Sequence, residues 1–159
     1  MKNLFITLGL SIFCVLCKAQ KKCLVIGEKA FAITEFVGMV PVDAEGNELK
    51  QKPTYNRKII LTTTCKNRPI IKSILYNNTN IKNTIKMIDA KKLIMGLDTN
   101  GKEILIKCGK TNFLWEINVA EIDFEPNQIK SITVNGMVDK KPFILQLKET
   151  NIIPLVMPN

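Results

Sequence analysis

In the stretch FLWEINV, Phe113, Trp115, Ile117 and Val119 are apolar while Glu116 and Asn118 point the other way, the two-residue period of a strand with one buried face. The same rhythm recurs along the chain from residue 57 onward. Apolar runs KIILTTTC (58–65), PIIKSILY (69–76), IKNTIKMI (81–88), KLIMGL (92–97), EILIKC (103–108), FLWEINV (113–119), IKSITVNGMV (129–138) and PFILQLK (142–148) alternate with turn-rich pieces such as NRP, NNTN, DAKK, GKTN and DKKP. Residues 30–42 add a ninth run. In IKNTIKMI, Ile81, Ile85 and Met87 fall on one face and Lys82, Thr84 and Lys86 on the other. KIILTTTC and EILIKC are apolar on both faces and read as interior strands. Inward parity switches after Val119, which places a bulge or strand end near Ala120. No segment carries a continuous apolar stripe over three helical turns.

These features predict an all-β fold, an antiparallel β-sandwich of about eight or nine short strands. The alternative at this strand count is a calycin-like closed β-barrel. Against the barrel, the lipocalin Gly-x-Trp signature is missing near the start of the mature chain, and the only tryptophan is Trp115. Two packed sheets around a filled core, or one closed sheet around a cavity, separates the two architectures.

Upstream of the runs, MKNLFITLGLSIFCVLCKA has Lys2, then 14 uncharged residues from Leu4 to Cys17, then Ala19. A membrane-spanning helix needs about 20 residues, so the segment reads as a signal peptide, residues 1–19, cleaved after Ala19. It resembles the leaders of small secreted bacterial proteins. Lipoprotein processing fits less well, because Phe13, Leu16 and Lys22 precede Cys14, Cys17 and Cys23. The expected product is a single domain, 20–159, secreted or periplasmic, with no transmembrane segment after cleavage.

Cys14 and Cys17 leave with that leader, and Cys23, Cys65 and Cys108 remain. An exported chain with three cysteines has room for one disulfide. The expected pair is Cys65 with Cys108, since each closes a strand-like run while Cys23 lies near the new terminus; a bridge to Cys23, or three unpaired thiols, stays open.

Charge adds a direction. The chain has 23 basic and 14 acidic residues, and residues 50–110 hold 14 of the former and 3 of the latter. Lys58, Lys72, Lys82, Lys86 and Lys107 are candidates for one anion-binding face, with an acidic glycan or an envelope protein as partner. Nucleic acid fits poorly. Arginine occurs only at Arg57 and Arg68, Tyr55 and Tyr76 are the only hints of a stacking platform, and Ile, Lys and Asn make up 58 of 159 residues, a bias expected of an AT-rich genome.

The chain has no histidine, which removes Ser-His-Asp and Cys-His catalysis and histidine-based zinc sites. In EIDFEP the carboxylates Glu121, Asp123 and Glu125 share one side of a ribbon, whereas glycoside hydrolysis needs two carboxyl groups facing across a cleft. The loops DAEGNE (43–48) and DTNGKE (98–103) lack the full calcium-loop pattern and read as hairpin turns. No catalytic, cofactor-binding or metal-ligating residue is expected. The sequence points to an exported, non-enzymatic binding or structural module of the bacterial envelope or extracellular space. A barrel for a small apolar ligand and a carboxylate-dependent carbohydrate-active enzyme are the alternatives.

Overall fold

Residues 22–35, 43–47 and 53–154 are described by the computed structural model of the chain. They form eleven strands and one short 3-10 turn (Pro126–Gln128). The strands are β1 (Val25–Glu35), β2 (Thr54–Thr63), β3 (Ile70–Tyr76), β4 (Thr79–Asn80), β5 (Asn83–Ile88), β6 (Lys92–Leu97), β7 (Glu103–Lys107), β8 (Phe113–Val119), β9 (Ile132–Val138), β10 (Lys141–Leu147) and β11 (Glu149–Ile152). A five-stranded sheet runs in the order β11-β1-β2-β8-β5, a four-stranded sheet β10-β9-β3-β4, and β6 and β7 make a separate hairpin. Pairing is antiparallel except for β11 alongside β1. The all-β sandwich stands, and the closed barrel does not: three separate sheets are present and none closes on itself.

Eight of the nine anticipated runs coincide with strands, the ninth (30–42) is strand over residues 30–35 with the rest outside the described residues, and β8 ends at Val119 as the parity switch requires. β4 and β11 are additions, too short or too polar to stand out from the surrounding turns.

The five-stranded sheet is the middle of three layers, which explains why β2 is apolar on both sides. One side carries Ile59, Leu61, Trp115 and Ile117 and packs against Ile74, Tyr76, Ile132 and Val134 of the four-stranded sheet. The other side carries Phe31, Ile60, Leu114 and Ile152 and packs under the hairpin through Ile106, Leu93, Met95 and Ile104. Ile60 is 2 % exposed and Ile59 0 %, so both faces of β2 gain the roughly 1.5–3 kcal/mol of a fully buried aliphatic side chain. β7 differs from the expectation of an interior strand. It belongs to a two-stranded layer with one covered face, and its second apolar row, at Leu105, is only half-buried.

Turn chemistry follows the sequence. Asn77 and Asn78 (φ 48 and 69°) and Asp139 and Lys140 (φ 51 and 63°) form two-residue connections with both φ values positive, the twist that antiparallel hairpins favour. Residues 43–47 and 98–102, in DAEGNE and DTNGKE, adopt the same loop. Asp43 Oδ1 accepts from the N–H groups of Glu45 (3.1 Å) and Asn47 (2.7 Å), and Asp98 Oδ1 from those of Asn100 (2.8 Å) and Lys102 (2.9 Å). Gly46 and Gly101 supply φ of 85 and 77°. The carboxylates are thus committed to the turn, and the contacts with Asn47 hold Asp43 below the usual carboxylate range.

The disulfide joins Cys23 to Cys65, which corrects the expected Cys65–Cys108 pair. Leu24 and Thr64 extend the β1–β2 ladder, with Thr64 N–H donating to Leu24 O (3.0 Å) and Leu24 N–H to Thr64 Oγ1 (3.0 Å). That register sets Cys23 opposite Cys65, with Cα atoms 5.2 Å apart and Cys23 buried. Cys108 closes the hairpin layer instead and is a free, half-buried thiol. Among the described residues no helix is long and apolar enough to cross a membrane.

Candidate functional site

The hairpin crosses the outer side of the middle sheet obliquely, from Ile152 and Ile33 near one corner to Ile88 and Leu114 near the opposite one. Two corners stay uncovered by the other described strands, and both carry lysine. At the first, strand alternation and register bring together Lys58 of β2, Glu116 and Asn118 of β8, and Thr84 and Lys86 of β5. Lys82 extends this row, since its carbonyl accepts the Ala120 N–H (2.9 Å) and continues the β5–β8 ladder.

Glu116 sits between two cations, with Lys86 Nζ at 2.9 Å and Lys58 Nζ at 3.5 Å. Its side chain is 8 % exposed while that of Lys86 is 64 % exposed. Burial pushes the Glu116 carboxyl up, but the contacts with Lys86 and Lys58 and a hydrogen bond from Asn118 outweigh it, so the group titrates below its ordinary range. This corner is therefore more neutral than a count of its lysines suggests.

Of the five lysines singled out from sequence, Lys58, Lys82 and Lys86 share this corner. Lys72 stands on β3, in the other sheet, and Lys107 on β7, in the hairpin. The single five-lysine face does not form, because sequence proximity within residues 50–110 distributes these strands over three different sheets.

The second corner is a groove of about 340 Å³ between β1 and β7, with Lys29 and Lys107 exposed at its sides and Ile60, Thr62, Leu105 and Asn112 among its lining. A third feature, a cleft of about 320 Å³, is lined by Tyr55, Ile122, Phe124 and the EIDFEP carboxylates. Glu121, Asp123 and Glu125 point outward and exposed while Ile122 and Phe124 are half-buried, as the alternation implies. No three acidic or cysteine groups converge on a metal-sized point among the described residues.

Beneath that cleft lies a network the sequence reading missed. Arg57, 2 % exposed, donates through Nε to Glu149 Oε1 (3.1 Å) and through its terminal nitrogens to the carbonyls of Ile122 (3.5 Å) and Phe124. Its guanidinium stands over the rings of Tyr55 (5.4 Å) and Tyr76 (6.0 Å). Ala32 lies opposite Arg57 and Ala30 opposite Glu149, and these small side chains leave the room that lets the pair meet across β1. Burial raises the Glu149 carboxyl, against the pull of Arg57 and Tyr76. Burial also raises the Tyr76 phenol, and the Glu149 charge adds to it. Tyr76 Oη and Glu149 Oε2 influence each other's ionisation yet make no contact of hydrogen-bonding geometry. The signal was present in the parity of β2, where Arg57 shares its side with Ile59, Leu61 and Thr63. With Arg57 committed to the interior, the Tyr55–Arg57 pair is no surface for stacking bases.

No protein-family model matches the chain, and no curated protein matches it at a significant level.

Proposed function

We propose that the chain is a small exported, non-enzymatic β-sandwich that serves the bacterial envelope or extracellular space as a binding module for acidic glycans. The observation that carries this reading is the Cys23–Cys65 bridge, which begins four residues beyond the leader-like stretch ending at Ala19 and locks the β1–β2 ladder. Such a staple persists in oxidising compartments. Binding is favoured over catalysis because the buried Arg57–Glu149 pair is committed internally, each to the other and Arg57 also to backbone carbonyls. The uncovered corners of the middle sheet carry lysines that reach solvent.

Retention on a sulfated or uronate-bearing polysaccharide matrix tests the reading. The mature protein is expected to bind and to elute steeply between about 50 and 200 mM salt, because screening and counterion release both act on lysine contacts. Flow-through at the lowest salt would overturn it.

A further inference from the structure

We propose that the groove between β1 and β7 seats one anionic sugar residue, held between the ammonium groups of Lys29 and Lys107. This deepens the glycan-binding reading and rests on it. Three observations single out the groove over the Lys58–Lys86 corner.

The first is charge. The ion pairs of the described residues are Arg57–Glu149, Lys58–Glu116 and Lys86–Glu116, so Lys58 and Lys86 share a carboxylate of their own. Lys29 and Lys107 have no carboxylate within 4.0 Å among those residues. Lys107 also lies directly opposite Lys92 in the hairpin register, a cross-strand like-charge pair that disfavours the hairpin and that a bound anion would relieve.

The second is shape. The groove holds about 340 Å³, at the lower end of the roughly 300–1,000 Å³ of small-molecule sites. It exists because the hairpin runs obliquely and because Gly27 replaces a side chain on its floor, where an added Cβ would touch Thr62 Oγ1 at 3.5 Å.

The third is the chemistry of the walls. Ile26, 50 % exposed, and the half-buried Leu105 offer aliphatic surface to a ring face, while Thr62 and Asn112 bring a hydroxyl and a carboxamide for sugar hydroxyls. Glu28 stands on the rim, as the next residue along β1 from Lys29. Among the described residues no aromatic side chain lines the groove, so they supply no stacking platform of the kind that single-stranded nucleic acid requires. A carboxylate or sulfate on a saccharide is the chemistry that uses the two ammonium groups, the aliphatic walls and the hydrogen-bonding side chains together.

The test is titration of a tetragalacturonate oligosaccharide into the mature protein at about 50 mM salt, with the neutral tetragalactose and inorganic phosphate as parallel probes. Wild type is expected to bind the acidic oligosaccharide at least about tenfold more tightly than either. Lys29→Gln/Lys107→Gln is expected to lose about tenfold in affinity, in line with removal of charge-assisted contacts. Lys82→Gln/Lys86→Gln is expected to lose less than about twofold. Lys29→Gln/Lys107→Gln alters exposed side chains outside the ion pairs of the described residues, and an unchanged melting temperature verifies its fold. Lys82→Gln/Lys86→Gln removes a partner of Glu116, and its fold is verified by a cooperative unfolding transition. No binding by wild type would overturn the glycan reading itself. Undiminished binding by Lys29→Gln/Lys107→Gln, or equal binding of phosphate, would overturn the groove assignment alone.

Discussion

Replacing Arg57 by alanine is expected to be among the most damaging single changes in the domain. The side chain is 2 % exposed and its partner Glu149 3 %, so the substitution leaves a carboxylate without its cation inside the sandwich. Removing one member of such a pair costs about 3–5 kcal/mol. The carbonyls of Ile122 and Phe124 also lose their donor, but both residues are only half-buried and water replaces part of it. A total of about 4 kcal/mol is a large part of the 5–15 kcal/mol that a domain of this kind has to lose. It corresponds to a fall of roughly 12–16 °C in Tm. Glu149→Gln should behave differently. A carboxamide oxygen still accepts from Arg57 Nε, and burial already raises the Glu149 carboxyl, so its charge is held at a cost. A loss of about 2 kcal/mol is expected there, because Arg57 keeps its hydrogen bonds to the carboxamide and to two carbonyls but loses its counter-charge. The double change Arg57→Met/Glu149→Leu should recover most of the stability, because a well-packed apolar pair avoids the desolvation of both charges. Urea unfolding followed by tryptophan fluorescence reads all three, with Trp115 in the same core as reporter. An Arg57→Ala variant within about 1 kcal/mol of wild type, or no more affected than Glu149→Gln, would refute the reasoning.

Gly96 has φ of 143°, and an added Cβ would lie 2.3 Å from Ile152 Cγ2 and 2.6 Å from Ile153 O. Gly96→Ala should therefore cost about 3 kcal/mol or more and loosen β11, whereas Gly101→Ala, at φ 77° with open space around it, should cost only about 1 kcal/mol; equal losses in urea unfolding would contradict this. Glu116 titrates below its ordinary value of 4.5, so its contribution is present above that value and is lost as pH falls through the depressed one. Stability measured from about pH 6 down to about pH 3 should fall less steeply in Glu116→Gln than in wild type, and parallel curves would count against the Lys58–Glu116–Lys86 arrangement.

Much of the strand content was legible because period-two alternation is a local signal. FLWEINV showed the inward side of β8, and Trp115 does lie in the core, its Nε1–H donating to Thr63 Oγ1 at 2.9 Å. The layering was less legible. β2 reads as an interior strand, but nothing local says which neighbour covers each of its two apolar faces, and the same pattern in EILIKC came from a strand of a two-stranded hairpin. The disulfide was misassigned for a related reason. Cys23 and Cys65 are brought together by the register of β1 on β2, a property of the pair and not of either strand. The lysines fared likewise: Lys82 and Lys86 share a strand face that alternation reveals, whereas Lys72 and Lys107 depend on which sheet each strand joins. Glu149 was unreadable, since β11 is four residues long and its parallel pairing with β1 follows from the crossing between sheets.

The central claim, an exported domain stapled across β1 and β2, is tested most directly by mass-spectrometric mapping of the protein recovered from its native host without reduction. The expected result is a chain that begins at Gln20, contains a cross-linked peptide joining Cys23 to Cys65, and has an alkylatable thiol at Cys108. A chain that retains Met1, with Cys23 and Cys65 both alkylated as free thiols, would contradict it.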